Sequence, residues 1–301
     1  MRYKINPVYR KEAKLRVRTN RFAKVVFVYN FLLLALALLG FEMAFNIHWN
    51  SYIDYSRAPL IYLILIVVEM LMIIFIVPSY TAGSIAGERE KQTLDILLTT
   101  VLKPRQIIMG KLMSSIGMVM LLVFSSLPIL SVIFTIGGVG VKDLIRFIFV
   151  AVIVAIFIGS IGMVASTIYQ KTVQATVFSF GMVFVVCVGT IALVAVTYFL
   201  QQMYFWNIMQ GKGEVPDVAW MALILLLNPV ITMKDMLSNQ YSQFEEFSQI
   251  ITTMGGLPEF IMKNWFYLSL FSQMMASGIL LKIAELRLNP LRKKRKWLKK
   301  S

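Results

Sequence analysis

The sequence predicts an all-α membrane protein with six transmembrane helices and with both ends of the chain on the cytoplasmic side. Of its 301 residues, 58% are hydrophobic, whereas soluble domains contain about 45–50% apolar residues. Several apolar runs exceed the ~18 residues that mark a transmembrane candidate. Residues 2–24 and 282–300 each carry nine Lys or Arg and one acidic residue. This placement at the two ends favours topology-setting contacts with anionic membrane lipids, and we expect no nucleic-acid partner.

The N-terminal segment, residues 5–21, predicts a basic and weakly amphipathic helix on the cytoplasmic membrane surface. Val8, Leu15 and Phe22 recur every seven residues, and Lys and Arg dominate the positions between them. Such a pattern is typical of a helix that lies in the interface. A disordered basic tail is the alternative.

The six spans are predicted from the apolar runs and from the polar loops between them. We expect them at residues 22–45, 59–80, 106–136, 144–168, 175–200 and 263–286. The fourth span carries the small residues Gly159, Gly162 and Ser166. Small residues let helix backbones approach closely in a membrane, so we expect this span to pack tightly.

Residues 201–262 form the predicted outer segment, with six acidic residues and two Lys. Within it, residues 218–230 are apolar but short, and Asn228-Pro229 interrupts them. A seventh span here would place the basic tail, residues 287–301, on the outer side, against the positive-inside rule. We therefore expect a re-entrant or interfacial helix.

Residues 83–105 form the predicted inner loop between the second and third spans, and they are both charged and patterned for a helix. Glu88 and Glu90 lie in the first turn, where the helix dipole favours acidic residues. Pro104 ends the segment, because the residue before a proline disfavours the helical conformation. We expect one amphipathic helix of about three turns here, reaching Thr100.

The apolar face of this predicted helix consists of Leu94, Leu97 and Leu98. They recur at the spacing of one helix face. A helix joined to spans at both ends can act as a lever seated in a partner's groove. From the spacing alone, a surface helix that packs on lipid head groups explains the pattern equally well.

The charged loop resembles a run that follows the second span in permeases of the ABC-2 family, the membrane subunits of many bacterial ABC exporters. That run reads E-R-E-x-G-T-L-x-x-L-L-x-T-P-L-x-x-x-x-I-x-x-G-K, and this chain reads EREKQTLDILLTTVLKPRQIIMGKL. Gln92 stands where Gly is usual and Val101 where Pro is usual, and we expect both to lengthen or stiffen the helix. The opening segment, the third span and the late Asn-Pro are also similar, so the resemblance covers nearly the whole chain.

The resemblance implies a permease dimer, with a second copy or a related chain, bound to two separate ABC ATPase subunits in the bacterial plasma membrane. It implies export of a substrate that the residues do not identify. It also implies that the loop is a coupling helix on the ATPase. The ATPase-coupling residues are then Glu88, Arg89, Glu90, Thr93, Leu94, Leu97 and Leu98.

The motifs of an enzyme are missing from the sequence. A P-loop, G-x-x-x-x-G-K-[ST], is absent, because Leu112 follows Gly110-Lys111 and Arg105 stands in place of the first Gly. With one histidine, His48, and one cysteine, Cys187, neither a catalytic triad nor a Cys/His metal cluster is expected. We therefore expect no cofactor on this chain, with ATP and Mg²⁺ bound by the partner subunits.

Glu69 lies near the middle of the second predicted span. A carboxylate at that depth costs a few kcal/mol on insertion scales, so it usually faces protein or water. One interpretation is a polar contact on the substrate path, for a cationic substrate or an ion. The others are a protonated Glu69, or a Glu69 hydrogen-bonded to Ser or Asn on another span.

Two other classes of function stay open. An ion-gradient-driven secondary transporter or channel often has internal repeats and broken midplane helices, and the two halves of this sequence show no convincing repeat. A non-transporting scaffold or sensor would need a receptor domain, and residues 201–262 are small and partly apolar for that role.

Overall fold

The structure is a computed structural model, and every regular element that it describes is helical. The described residues are 8–9, 12, 20–45, 58–99, 103–136, 140–210, 217–238 and 251–288. Most of the predicted surface helix at residues 5–21 and of the basic tail at residues 287–301 lies outside these ranges.

Long apolar helices make up most of the described chain. In chain order the elements are α1 (Asn20–Phe45), α2 (Ala58–Glu90), α3 (Leu94–Leu98), α4 (Pro104–Ile136), α5 (Val141–Ile168), α6 (Thr172–Phe184), a π-helical turn (Val185–Gly189), α7 (Thr190–Asn207), a 3₁₀ helix (Ala219–Leu227), α8 (Pro229–Ser238), α9 (Glu259–Lys263) and α10 (Trp265–Leu288). By length and hydropathy, six of the described helical segments can cross a membrane. This agrees with the six predicted spans.

α2 differs from the prediction, which ended the second span at residue 80 and began a separate loop at residue 83. The helix runs unbroken for 33 residues to Glu90. At about 1.5 Å per residue it is about 50 Å long, whereas the hydrocarbon core of a bilayer is about 30 Å thick. The last turns of α2 therefore project beyond the membrane as a helix.

Close packing on α5 explains why α2 stays helical there. A Cβ at Gly162 would collide with the Thr81 side chain, and one at Gly159 would come within 2.8 Å of Leu112. The Ser166 hydroxyl oxygen accepts hydrogen bonds from two successive α2 amides, at 2.8 and 2.9 Å. The predicted close packing of the fourth span is confirmed, and its main partner is the end of α2.

The chain divides into two compact units, one formed by Met1–Ser179 with Ser277–Ser301 and the other by Phe180–Ala276. In the first unit, α2 is the central helix, and it packs most extensively on α5 and also on α4 and α1. The unit therefore gathers the first, third and fourth spans around α2, the helix that contains Glu69 and leads into the charged loop.

The second unit contains the predicted outer segment. The 3₁₀ helix and α8 meet at a bend of 97°, which fits the predicted interruption at Asn228-Pro229. They pack on an apolar core that comprises Val194, Ala219, Ala222, Leu225, Ile231, Ile251, Met254 and Trp265. α7 continues to Asn207, so it extends seven residues beyond residue 200, where the predicted fifth span ended.

Candidate functional site

α2 ends inside the charged loop, in a Schellman motif. The Gln92 amide donates to the Arg89 carbonyl over 3.0 Å, and the Thr93 amide donates to the Glu88 carbonyl over 2.9 Å. Gln92 has a φ of +58°, the left-handed conformation that this motif needs and that glycine adopts most easily. The expectation that Gln92 lengthens the helix is wrong: the single predicted helix is interrupted, and α3 spans only Leu94–Leu98.

Glu88 belongs to a cluster of three charged side chains, in which two carboxylates share the ammonium group of Lys111. The Lys111 ammonium lies 2.8 Å from a carboxylate oxygen of Glu88 and 2.8 Å from one of Glu12. It also donates to the Ser84 carbonyl over 3.1 Å. The Lys111 side chain is 3% exposed, and a cation buried that deeply needs such partners. The cluster thereby ties the end of α2 to α4 and to the N-terminal segment.

Arg89 contacts the carboxyl end of α5. Its guanidinium donates to the Tyr169 carbonyl over 2.9 Å and to the Thr167 carbonyl over 3.3 Å. The last carbonyls of a helix lack intrahelical partners and carry partial negative charge. Arg89 therefore satisfies carbonyls that α5 leaves open at its end.

Glu90 contacts the amino end of α6. Its carboxylate accepts hydrogen bonds from the Thr172 amide at 3.1 Å and from the Thr172 hydroxyl at 2.8 Å. A carboxylate at a helix N-terminus satisfies a free amide and interacts favourably with the dipole. Glu90 thus acts as a cap that is supplied by a neighbouring helix.

The three successive charges therefore have three different partners within the chain. We call Glu88, Arg89 and Glu90, together with Lys111 and Thr172, the charge junction. Thr93 supports it, because its hydroxyl donates to the Glu88 carbonyl over 3.2 Å in addition to the amide contact. The structure thus brings the predicted charged residues together, with their side chains joining α2 to α4, α5 and α6.

The predicted leucine face of the loop packs inside the same unit. Leu94 is buried, and Leu97 and Leu98 are partly buried against it. The apolar cluster that receives them comprises Ile85, Ile107, Ile108, Leu112, Met163, Ala284 and Leu288. The three leucines therefore hold α3 on the helical bundle.

The opposite face of the loop is exposed. Ile96 is 68% exposed, and Asp95 beside it is exposed as well. Lys91 and Gln92, in the preceding turn, are also exposed. We call these four residues the α3 outer face. Sequence reasoning placed Lys91, Gln92 and Asp95 off the leucine face but missed Ile96, although an isoleucine outside the leucine stripe was a signal for it.

Glu69 lies apart from the charge junction, 19 residues before Glu88 on α2, or about 28 Å along the helix. It is 1% exposed. The hydroxyl groups of Tyr29 on α1 and Ser126 on α4 lie beside it, but both Glu69 carboxyl oxygens are without a hydrogen bond. The Ser126 hydroxyl donates instead to the Val123 carbonyl over 2.7 Å. A serine on another span, as in one of the sequence interpretations, therefore lies next to Glu69.

Asn228 in the second unit is a buried anchor that sequence reasoning recognised only as a break. Its side-chain amide donates to the Cys187 carbonyl and to the Thr190 hydroxyl, each over 2.8 Å. Its side-chain oxygen accepts from the Val230 amide at 2.8 Å, at the start of α8. Asn228 therefore fastens the bent pair of helices to the π-helical turn Val185–Gly189.

Comparison with protein-family models matches residues 7–286 to a family described as ABC-2 family transporter protein. The match includes the charge junction, Glu69 and Asn228. No curated protein matches the chain. The family match agrees with the resemblance that the charged loop carries.

Proposed function

Because the chain belongs to the ABC-2 transporter family, we propose that it is the permease subunit of an ATP-driven exporter. It is a multi-pass protein of the bacterial plasma membrane. In this proposal, two ATPase subunits bind and hydrolyse ATP with Mg²⁺. The membrane part is a dimer of this chain with a second copy or a related permease, and it forms the path of an exported substrate.

The single observation that carries the proposal is the charge junction. A displacement of the loop after Glu90 would be transmitted to α4, α5 and α6 through side chains that are already bonded to α2. α3 is held on the same bundle by Leu94. A loop that is bonded to several helices in this way can transmit a movement of a partner subunit to several spans at once.

The ATPase contact in this proposal uses the α3 outer face. The predicted coupling residues Glu88, Arg89 and Glu90 transmit the movement, whereas Asp95 and Ile96 contact the partner. Ile96 is an exposed apolar side chain, and Lys91 and Asp95 of the same face are exposed and charged; an apolar anchor together with polar residues is the usual composition of a protein–protein contact.

The test compares two substitutions of Ile96 in a complex purified with its ATPase. Ile96→Glu places a charge at the centre of the contact, and we expect loss of the ATPase on purification or at least a roughly tenfold weaker association, about 1.4 kcal/mol. Ile96→Val keeps an apolar contact and should retain the ATPase. Co-purification, ATP hydrolysis and transport in proteoliposomes are the readouts. An Ile96→Glu complex that stays intact, hydrolyses ATP and transports like the parent would contradict the proposed seat.

An ion-gradient-driven transporter is the second candidate function, and the unpaired carboxyl group of Glu69 favours it. Such a protein would move its substrate in proteoliposomes that contain an ion gradient and no ATPase. The proposed exporter would transport its substrate in proteoliposomes only when the ATPase and ATP are also present. A protein that transports under neither condition would fit the scaffold or sensor class.

A further inference from the structure

Glu69, Tyr29 and Ser126 form a buried group of oxygen atoms between α1, α2 and α4, which we call the oxygen cluster. All three residues are buried, and the Glu69 carboxyl oxygens have no hydrogen bond. An ionised carboxyl in such a place is costly unless a positive charge compensates it. The cluster therefore needs a proton or a cation that the surrounding protein does not supply.

The described parts of the three helices contain no basic residue near this depth. α1 has none after Lys24, α2 has none before Arg89, and α4 has none after Lys111. α5 also packs against α2. Its basic side chain Arg146 is exposed, whereas the apolar side chain of Val150, one turn further along, is buried. Tyr29 is the titratable group beside Glu69 on the neighbouring helices.

The chemistry of the cluster suits one kind of ligand. It offers two carboxyl oxygens and two hydroxyl oxygens, and hard oxygen donors of this type bind alkali and alkaline-earth cations. A single carboxylate balances a single positive charge. We propose that Glu69, Tyr29 and Ser126 bind a monovalent inorganic cation and that a proton occupies Glu69 when the ion is absent.

The proposed cation site gives a chemical identity to the contact that Glu69 would make on the substrate path. The role of the site in transport rests on the proposed function. The binding itself does not depend on an ATPase. A bound cation would make the cluster either a site for cargo or a site where an ion accompanies the cargo. Either role uses the same ligands.

Carbodiimide labelling of the purified permease tests the site directly. Dicyclohexylcarbodiimide is apolar and reacts with protonated carboxyl groups. A groove of about 280 Å³ borders the cluster at Tyr29 and is lined by Lys24, Val25, Val28, Tyr29, Leu32 and Met72. We expect adduct at Glu69 in choline chloride, and about tenfold slower labelling in NaCl or KCl of equal ionic strength, about 1.4 kcal/mol of competing binding.

Variants separate this site from other carboxyl groups. Glu69→Gln should abolish the adduct at this position, whereas Glu42→Gln, at an exposed position near the end of α1, should leave labelling of Glu69 and its protection unchanged. In the Tyr29→Phe and Ser126→Ala variants, the concentration of NaCl or KCl that halves the labelling rate of Glu69 should be at least roughly threefold higher than in the parent protein. Size-exclusion profiles report whether each variant is folded.

The melting temperature gives a second readout. A ligand that binds the folded state stabilises it, so NaCl or KCl should raise the midpoint of the parent protein relative to choline chloride, and Glu69→Gln should lose that shift. Labelling of Glu69 that is equally fast in all three salts would overturn the proposal. Absence of labelling together with an ion-independent midpoint would overturn it too. Both measurements omit the ATPase, so their failure would leave the Ile96 test unaffected.

Discussion

Glu88 and Glu69 lie on the same helix, yet their carboxyl groups have opposite surroundings. Glu88 lies 2.8 Å from the ammonium group of Lys111, and the charges that follow it also bond to neighbouring helices. Glu69 is more deeply buried and is without a hydrogen bond. A carboxylate with its own cation holds helices together, whereas one without a cation has the capacity to bind a ligand. The charge junction therefore joins α2 firmly to its neighbours, as the transmission of movement requires, whereas ligand binding is proposed for the oxygen cluster.

The largest expected effect comes from removing the buried lysine of the charge junction. Lys111→Met leaves two carboxylates without their shared partner, and breaking a buried ion pair from one side costs about 3–5 kcal/mol. Because Glu12 and Glu88 keep 17% and 27% of their side-chain surface exposed, we expect a loss near the lower end, about 3 kcal/mol. The free energy of unfolding in mild detergent measures it.

A matched control for Lys111 is Lys282, which pairs with Glu285 at 3.0 Å while 63% of its side chain is exposed. An exposed pair contributes about 0–1 kcal/mol, so Lys282→Met should change the free energy of unfolding little. Equal losses for the two substitutions would mean that the charge junction is not a special contributor to stability.

The same chemical change at the two glutamates sharpens the comparison. Glu88→Gln removes a charged hydrogen-bond partner of Lys111, and we expect a loss of about 1.5 kcal/mol in the free energy of unfolding. Glu69→Gln replaces the protonated, neutral carboxyl group of the ion-free cluster by a neutral amide of the same size, so in choline chloride we expect a smaller loss, below about 1 kcal/mol. Thermal or denaturant unfolding of both variants in one buffer checks this. A larger loss for Glu69→Gln than for Glu88→Gln would reverse the assignment of the two sites.

The smallest expected effect concerns the backbone next to the charge junction. Gln92 has φ of +58°, which costs a non-glycine residue about 1–2 kcal/mol. Gln92→Gly relieves that strain but increases the freedom of the unfolded chain, so we expect a net gain of about 0.5 kcal/mol. Gln174→Gly, in the helical backbone of α6, should instead cost about 1 kcal/mol. The melting temperatures should move in opposite directions, and a loss at both positions would argue against strain at Gln92.

The fold class was predictable because the length and hydropathy of an apolar run are local properties. The six spans required no knowledge of which helices are neighbours. The end of α2 was not predictable in the same way. Gly83 and Gly87 suggest a loop in isolation, but they lie in a helix that packs along α5, where the Ser166 hydroxyl bonds to α2 amides.

The residues of the candidate site could be predicted from the sequence, but the directions in which their side chains face could not. The charges of the loop identified a functional stretch, but periodicity shows only that Leu94, Leu97 and Leu98 share a face. Burying leucine against its own chain or against a partner is favourable for the same reason. Only the packed structure shows that these leucines face the bundle and that Ile96 faces outward.

The order of residues along the chain is enough to establish that this protein crosses a membrane, that its spans are helical and that breaks lie at Pro104 and at Asn228-Pro229. These properties depend on residues that are close along the chain. Only the packing of the helices shows that Lys111 neutralises Glu88 and that, among the described residues, Glu69 has no such cation beside it. Pairing of charges depends on distances of a few ångströms between separate helices, and the order of residues along one helix does not contain those distances.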